Sequence, residues 1–559
     1  MNALAIRHLG RGIDCFPLDT HTLRIRFQCA RGDFDRVELC YCLNKYEWEK
    51  ERVSRDMPLW GSGLSLDYYE ADISGEDTRL CYLFILHKGK RTWYFSEEGL
   101  SKTYDFAHAY YSFFQYPFIH ACDVHRVVSW ADMAVMYQIF PERFAKGLPE
   151  SEKGYVNAAW DDVPKPASFF GGDLKGVEEH LDYLEDLGVN CLYFNPIQSS
   201  PSNHKYNITD YTDVDAHFGG KEAFRSLMRA AHGRGMRVLL DGVFNHCSWD
   251  WPPFRDCMEK GKVSPYWDWF FIDGDTVDTT KPNYLTFAAC PDLPKLNTGN
   301  EEVISYFCGI GVMWVREFDI DGWRLDVMDE TSEMFLRAFR KAVKSVKPDA
   351  LILGENWHES AAWLRGDELD GVMNYGLTKA LMDYLVSGTL DAAGMVDRLM
   401  MLFRRTSSAS ARMMMNLIGS HDTDRFLTLL GGDKQKLRLA YAILFFYVGI
   451  PCVYYGDEVG MQGGYDPLCR GGFPWKKEKQ DTALRDTVKR LAEIKRSGAL
   501  KGDKISVSAE GNVLHIVREG AELWVNASAQ EAAYTENGCL RSLNACSFTI
   551  LLSEGSEHS

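Results

Sequence analysis

The chain is short of positive charge. Its 62 lysines and arginines face 79 aspartates and glutamates, a formal net charge of −17. Nucleic acid and anionic membranes repel such a surface, so neither is an expected partner. Cysteine is present in 15 copies, but no C-x-x-C pair occurs and no spacing suits zinc. An odd, scattered set of cysteines fits free and mostly buried thiols in a reducing cytoplasm. The segment Met1 to Pro17 lacks a signal-like apolar core. The longest apolar run, Leu439 to Gly456, is broken by Gly449-Ile450-Pro451. It reads as a buried helix followed by a buried strand rather than a membrane span. No glycine fingerprint opens the first strand–helix turn of the alternating region, and no internal repeat or low-complexity tract occurs.

What is there is a large soluble composition, 46% hydrophobic and 25% charged over 559 residues. Length alone implies roughly three or four domains, fewer if one is a large barrel. Residues 1–120 alternate as strands, for example His21 to Phe27 and Arg36 to Cys42, with a hairpin at Lys88-Gly89-Lys90. This predicts an N-terminal β-sandwich. Its aromatics Trp48, Trp60, Tyr68, Tyr69 and Trp93 could meet sugars, but core packing is the simpler role. Over 121–499 strands and helices alternate, with candidate strands Val135–Phe140, Asn190–Asn195, Arg237–Val243, Phe318–Leu325, Leu351–Leu353, Gly371–Asn374, Met413–Leu417 and Pro451–Tyr455. Eight such strands with crossover helices, such as Leu174–Leu187, predict a (β/α)8 barrel. A doubly wound open sheet is the alternative. A stretch rich in Trp, Pro and Asp, about 247–302, is too long for a structureless loop and predicts an inserted subdomain after the third strand. Residues 500–559 return to short strands and predict a small C-terminal β-domain.

Barrel active sites sit where strands end. The third strand ends Asp241-Gly-Val-Phe-Asn-His246, and the fourth carries Arg324 and Asp326. The fifth leads into Glu355-Asn-Trp357-His358 and the seventh into Ser420-His421-Asp422. Side chains two apart on a strand share a face, so Arg324 and Asp326 point together, and the cation favours an ionised acid. Retaining glycosidic hydrolysis needs a nucleophilic carboxylate and a carboxylic acid/base. Asp326 suits the first role, and Glu355, near the apolar Trp357, suits the second. Asp422 could stabilise an oxocarbenium-like sugar, with His246 and His421 donating to its hydroxyls. Each residue alone has a structural explanation. Their joint placement does not.

These segments resemble the signature regions of the α-amylase family, glycoside hydrolase family 13: DGVFNH at 241–246, GWRLDVMDE at 322–330, GENWH at 354–358 and SHD at 420–422. The resemblance places the nucleophile on Asp326, the acid/base on Glu355 and the transition-state stabiliser on Asp422. It places sugar binding on His246, Arg324 and His421, and a stacking tyrosine on Tyr206. Leu293-Pro-Lys-Leu-Asn297, Tyr137 to Phe144 and Phe170-Gly-Gly-Asp-Leu174 are similar to the neopullulanase, cyclomaltodextrinase and maltogenic amylase subfamily. In that group the N-terminal domain is a starch-binding-like module that shapes a dimer's active site, which implies a homodimer through residues 1–120 here.

Two departures stand out. The subfamily pattern V-A-N-E is Val327-Met328-Asp329-Glu330 here, on the acceptor side of the site, with Asp329 and Glu330 as substrate-binding candidates beside Trp357. The subfamily's calcium loop, roughly A-N-G-D, is Ala145-Lys146-Gly147-Leu148. Lys146 puts a cation and Leu148 a hydrocarbon where calcium needs oxygen, so the site is expected to be lost and no cofactor required. Gly171 and Asp173 remain from that site. The expectation is a cytoplasmic, retaining α-glucan hydrolase acting on cyclodextrins, maltooligosaccharides, starch or pullulan. It cuts α-1,4 links, with α-1,6 links and transglycosylation left open. Trp267 and Trp269 could stack on glucose or form the insert's own core. The alternatives are an exo-acting α-glucosidase, or a catalytically silent carbohydrate-binding protein.

Overall fold

A computed structural model describes residues 1–553. At its centre is a parallel barrel. Its strands are β1 (Met136–Ile139), β2 (Cys191–Phe194), β3 (Arg237–Gly242), β4 (Gly322–Leu325), β5 (Leu351–Gly354), β6 (Gly371–Val372), β7 (Met415–Asn416) and β8 (Ile450–Tyr454). They pair in the order β6-β5-β4-β3-β2-β1-β8-β7. A single bridge, Met373 to Met415, with the Asn374 N–H donating to the Met415 carbonyl at 2.8 Å, joins β6 to β7 and rounds off the barrel. The strands are buried on both faces, which is why they read as continuous apolar runs. At Gly322 a Cβ would lie 2.1 Å from the Leu351 carbonyl oxygen, so β4 reaches β5 only with glycine there.

The period of two decides what the barrel contains. Tyr137, Ile139, Leu192, Phe194, Val238 and Leu240 face outward into the large core shared with the helices. Met136, Cys191, Tyr193, Leu239, Leu351 and Leu353 belong to a separate inner core. One layer higher on the inner face stand polar groups, Gln138 and Asp241, with Arg324 in register with Asp241. The switch from hydrocarbon to charge along the inner face marks the floor of the site.

Two antiparallel sheets form the N-terminal domain. Thr22–Ala30 pairs with Leu66–Ser74, and Arg36–Cys42 with Leu80–Lys88. The hairpin between Leu80–Lys88 and Arg91–Ser96 turns at Gly89, φ +56°. Trp48, Tyr68, Tyr69 and Trp93 are buried, and Trp60 stacks on Phe403 at 5.1 Å, so these aromatics serve packing. The domain is tied to the barrel region by charge: buried Arg26 donates to the Thr406 carbonyl at 2.6 Å and Arg404 to Asp14 at 2.9 Å. Beyond the barrel, Ser506–Glu510, Val513–Val517, Ala521–Asn526 and Ser547–Leu552 form an antiparallel sheet with a further hairpin, Ala532–Glu536 and Cys539–Leu543.

Between β3 and the helix Glu301–Phe318 lies the insert, built on the helix Pro252–Lys260. Its Trp251, Phe254, Phe270 and Tyr284 pack together, and Trp267 and Trp269 are only 8% and 7% exposed. Those two indoles are core, not a sugar platform. The expected strand Phe318–Leu325 begins only at Gly322. Phe318 instead closes the preceding helix, its ring packed on Phe224 and Trp314, and Asp319 leaves the helix at φ +58°. Likewise Leu174–Leu187 is broken at His180, whose ring bonds the Gly176 carbonyl and packs, tilted, on Trp475 at 3.7 Å.

Asp321 anchors the lower end of β4. It accepts from His232, Arg237, Lys347 and the Val238 N–H at 2.8–2.9 Å. Burial alone would raise its pKa, but the hydrogen bonds from His232 and Lys347 and the cationic charge bring it down to about 2. A depressed acid contributes stability above its unfolded pKa, lost as pH falls through its folded pKa. Asp321→Ala is expected to cost about 3 kcal/mol or more at pH 7. The gap from wild type should shrink as pH falls from about 4 toward 2, followed by calorimetry.

Candidate active site

Arg324 occupies the centre of the barrel mouth and is fully buried. Its Nη1 lies 2.8 Å from Asp241 Oδ1 and 2.8 Å from Asp326 Oδ1, and its Nη2 lies 2.9 Å from Glu355 Oε2. One guanidinium therefore joins acids from β3, the end of β4 and the end of β5. Such a fork suits planar carboxylate contacts in a way an ammonium does not. Glu355 is held twice more: its Oε2 accepts from the Val327 N–H at 2.9 Å and its Oε1 from Trp357 Nε1 at 3.1 Å. Val327 reaches this position at φ +45°, ψ +43°, a strained conformation for a β-branched residue. The turn directly after Asp326 thus aims a backbone donor at Glu355.

Behind Asp241 runs a chain of hydrogen bonds. Tyr193 and Tyr206 both donate to Asp241 Oδ2 at 2.8 Å. Tyr206 also meets His421 Nε2 at 2.6 Å and accepts from Asn195 at 2.9 Å, while Gln138 donates to His421 Nδ1 at 2.9 Å. This arrangement assigns the proton to Nε2 of a neutral His421. Burial, together with Arg470 and Arg324, keeps its pKa well below the ordinary value. His421 Nε2 also lies 3.1 Å from Asp422 Oδ2, and Arg470 donates to Asp422 Oδ1 at 3.2 Å and to the His421 carbonyl at 2.8 Å.

The other predicted residues fall around this centre. His246, at the end of β3, is neutral: burial and the nearby Lys295 push its pKa down to about 3. The Phe287 ring from the insert stacks over it at 4.8 Å. Trp357 lies flat on Tyr375 at 3.7 Å and keeps 43% of its surface exposed. It meets Glu355 through its N–H, so it is not the purely apolar wall read from the sequence. Asp329 is exposed, with Asn356 at 3.5 Å. Glu330 is exposed. It pairs with Lys295 at 2.8 Å, and Lys295 also bonds Asn245. The segment Leu293 to Asn297 is thereby pinned to the loop after β4. Met328 is buried beneath Gly354 and Leu369 rather than facing the cleft.

Sequence reasoning did not single out Asp241, Gln138, Tyr193, Asn195, Tyr375, Phe287 or Arg470. Gln138, Tyr193 and Asp241 were accessible in principle, since each sits at the inward parity of its strand. Arg470 was not, because 48 residues separate it from Asp422.

Asp241, Asp326, Glu355 and Asp422 share the guanidiniums of Arg324 and Arg470. The expected help from Arg324 toward an ionised Asp326 is diluted, because its charge is divided among three acids. Burial pushes Asp326 well above the ordinary value and neighbouring acids add to this, while Arg324 opposes. Burial and then the Glu355 charge raise Asp422 to about 7, although water reaching its 30% exposed side chain tempers the rise.

The fold and site define a member of the α-amylase family, to which the chain belongs. Residues 138–499 match the family model described as alpha amylase, catalytic domain, and residues 1–120 match alpha amylase, N-terminal ig-like domain. The chain is a glycoside hydrolase of the cyclomaltodextrinase, maltogenic amylase and neopullulanase type, acting on α-glucans. It is 42% identical to a cyclomaltodextrinase of Geobacillus thermopakistaniensis, over 92% of this chain and 89% of that one. It is 41% identical to neopullulanase 2 of Thermoactinomyces vulgaris, over 88% and 84%. The solved structure of a cyclomaltodextrinase superposes with a TM-score of 0.90 at 36% identity, covering 96% of this chain and 93% of that one.

The raised pKa of Asp422 has a measurable sign. Its folded form holds a proton that the unfolded chain releases near pH 4, so its contribution to stability falls as pH rises from about 4 toward about 7. Asp422→Asn removes that loss. Its Tm is expected to exceed that of wild type at pH 8, with the difference narrowing to nothing near pH 4 in a calorimetric pH series.

Proposed function

We propose that this chain hydrolyses α-1,4-glucosidic bonds with retention of configuration, Asp326 attacking the anomeric carbon and Glu355 protonating the leaving oxygen. The observation that carries this reading is the single guanidinium of Arg324 in contact with both Asp326 and Glu355. It fixes two carboxyl groups at one mouth in one relative orientation, as a double-displacement reaction requires. Glu355, having lost its proton, then activates water, which releases the sugar from Asp326. A sugar hydroxyl in place of water gives transglycosylation.

Asp422, across the mouth and held by Arg470, binds hydroxyls of the reacting sugar and favours its oxocarbenium-like form. His421 and His246, both neutral, donate to sugar hydroxyls without adding charge. Tyr206, parallel to the His421 ring at 5.3 Å, supplies the platform under that sugar. Trp357 and Asp329 line the acceptor side, and Phe287 covers His246. Expected substrates are cyclodextrins, maltooligosaccharides, starch and pullulan. The relatives' names, cyclomaltodextrinase and neopullulanase 2, support that set. Cleavage of α-1,6 links belongs to the same proposal. So does a cytoplasmic location, supported by the 15 free thiols and by an intracellular maltogenic amylase of Bacillus subtilis at 40% identity over 89% of this chain and 84% of that one. No helix among the described residues is long and apolar enough to cross a membrane. A homodimer through the N-terminal domain completes the reading, and sedimentation tests it.

Asp326→Ala is expected to lower kcat on maltoheptaose by about 10⁴-fold or more. Equal rates in variant and wild type would refute the assignment. Proton NMR of early product should show the α-anomer first, and a β-anomer would exclude retention. Rates on β-cyclodextrin, soluble starch and pullulan then rank the substrates. Glucose as the main product of starch would favour an exo-acting glucosidase, and no hydrolysis of any α-glucan would favour a binding protein.

A further inference from the structure

The family resemblance implies a cation between the loop after β1 and the Gly171–Asp173 segment. The residues there do not fit a calcium ion. Calcium needs a shell of six to eight oxygens. Here the Asp173 carboxylate is surrounded by donors. Its oxygens accept from the backbone N–H groups of Gly147 and Leu148 at 3.0 Å and of Gly176 at 2.8 Å. The fourth donor is Lys153 Nζ, 2.8 Å from Asp173 Oδ2 and 2.7 Å from the Gly171 carbonyl oxygen. Both side chains are buried, at 1% and 0% exposure. The two groups of the expected site that remain in the sequence, Asp173 and the Gly171 carbonyl, are thus held by a lysine ammonium. Among the described residues no cluster of His, Cys, Asp and Glu side chains is arranged for a metal.

Lys146, which sits at the ligand position in the sequence, plays no such part. Its Nζ lies 4.0 Å from the exposed Glu150 and over the Trp160 ring. The cation comes from a residue seven positions along the chain from Lys146, carried inward after the short 3-10 turn Glu150–Glu152.

We propose that the Lys153 ammonium is the built-in cation of this loop, making the protein's fold independent of calcium and linking the loop to the catalytic mouth. The link is continuous. The Gly171 N–H, whose own carbonyl holds Lys153, donates to Glu142 at 2.6 Å. Glu142 pairs with Arg143, which donates to the Arg470 carbonyl at 2.8 Å. Arg470 in turn holds Asp422. An ammonium supplies up to three rotatable donors and one charge. That matches one carboxylate oxygen and one carbonyl, where a divalent ion would also need the backbone donors of Gly147 and Leu148 to turn away.

Thermal unfolding and calcium titration test the proposal on the full chain. Wild-type Tm is expected to be the same in EDTA and in millimolar calcium, and calorimetric titration should show no calcium binding. Lys153→Met should lower Tm by at least about 5 °C, since it leaves a buried carboxylate without its counter-charge. The control Lys146→Met should leave Tm unchanged. Lys153→Asp supplies an oxygen ligand in place of the ammonium, and its Tm should rise with calcium. A calcium-dependent rise in wild-type Tm would overturn the proposal, and so would a Lys153→Met protein as stable as wild type. If the Lys153 variants do not fold while Lys146→Met does, the loss itself counts for the proposal and the wild-type titration still decides the calcium arm.

Discussion

A buried guanidinium in contact with three carboxylates is the constraint around which this barrel mouth is organised. Arg324 cannot shed its charge, so acids must approach it, and they come from β3, β4 and β5. The strand pairing that places Arg324 beside Asp241 is the same pairing that closes this side of the barrel. Removing the guanidinium would leave acids buried without a counter-charge, a cost of several kcal/mol. Fold and site are therefore one arrangement, because the register that builds the barrel also builds the charge cluster.

The surplus of acid over base around Arg324 and Arg470 explains the electrostatics. Burial disfavours every charge there, and repulsion among the acids raises Asp326 and Asp422 together. The neighbouring histidines are pushed the other way and stay neutral. The result is a mouth in which acids compete for two guanidiniums beside uncharged imidazole donors, suited to an uncharged ligand. Strain at Val327 and the Trp357–Tyr375 stack then hold Glu355 from two directions.

Much of the fold was legible because buried parallel strands announce themselves as apolar runs at regular intervals. The failures have physical causes. Phe318 to Asp321 alternates like a strand, yet Phe318 finds ring partners at the end of a helix. Leu174 to Leu187 reads as one helix, but His180 breaks it to reach Trp475. Trp267 and Trp269 read in one dimension as either a sugar platform or the insert's own core, and their burial decides for the core. Glu330, a substrate-binding candidate by its motif, also pairs with Lys295 from the insert, a partner that its place in the chain does not announce.

The sequence by itself determined the barrel, the flanking β-domains and the acids at the strand ends. Period, strand length and adjacent polar residues are local properties, and local properties are written in order along the chain. Which cation serves which acid was decided only by tertiary structure. Arg470 reaches Asp422 from 48 residues away, and Lys153 reaches Asp173 from 20. Lys146 stands at the expected ligand position and stays at the surface. A charge is satisfied by whatever lies within a few ångströms, and distance in space is set by the packing of the whole fold, not by spacing in the chain.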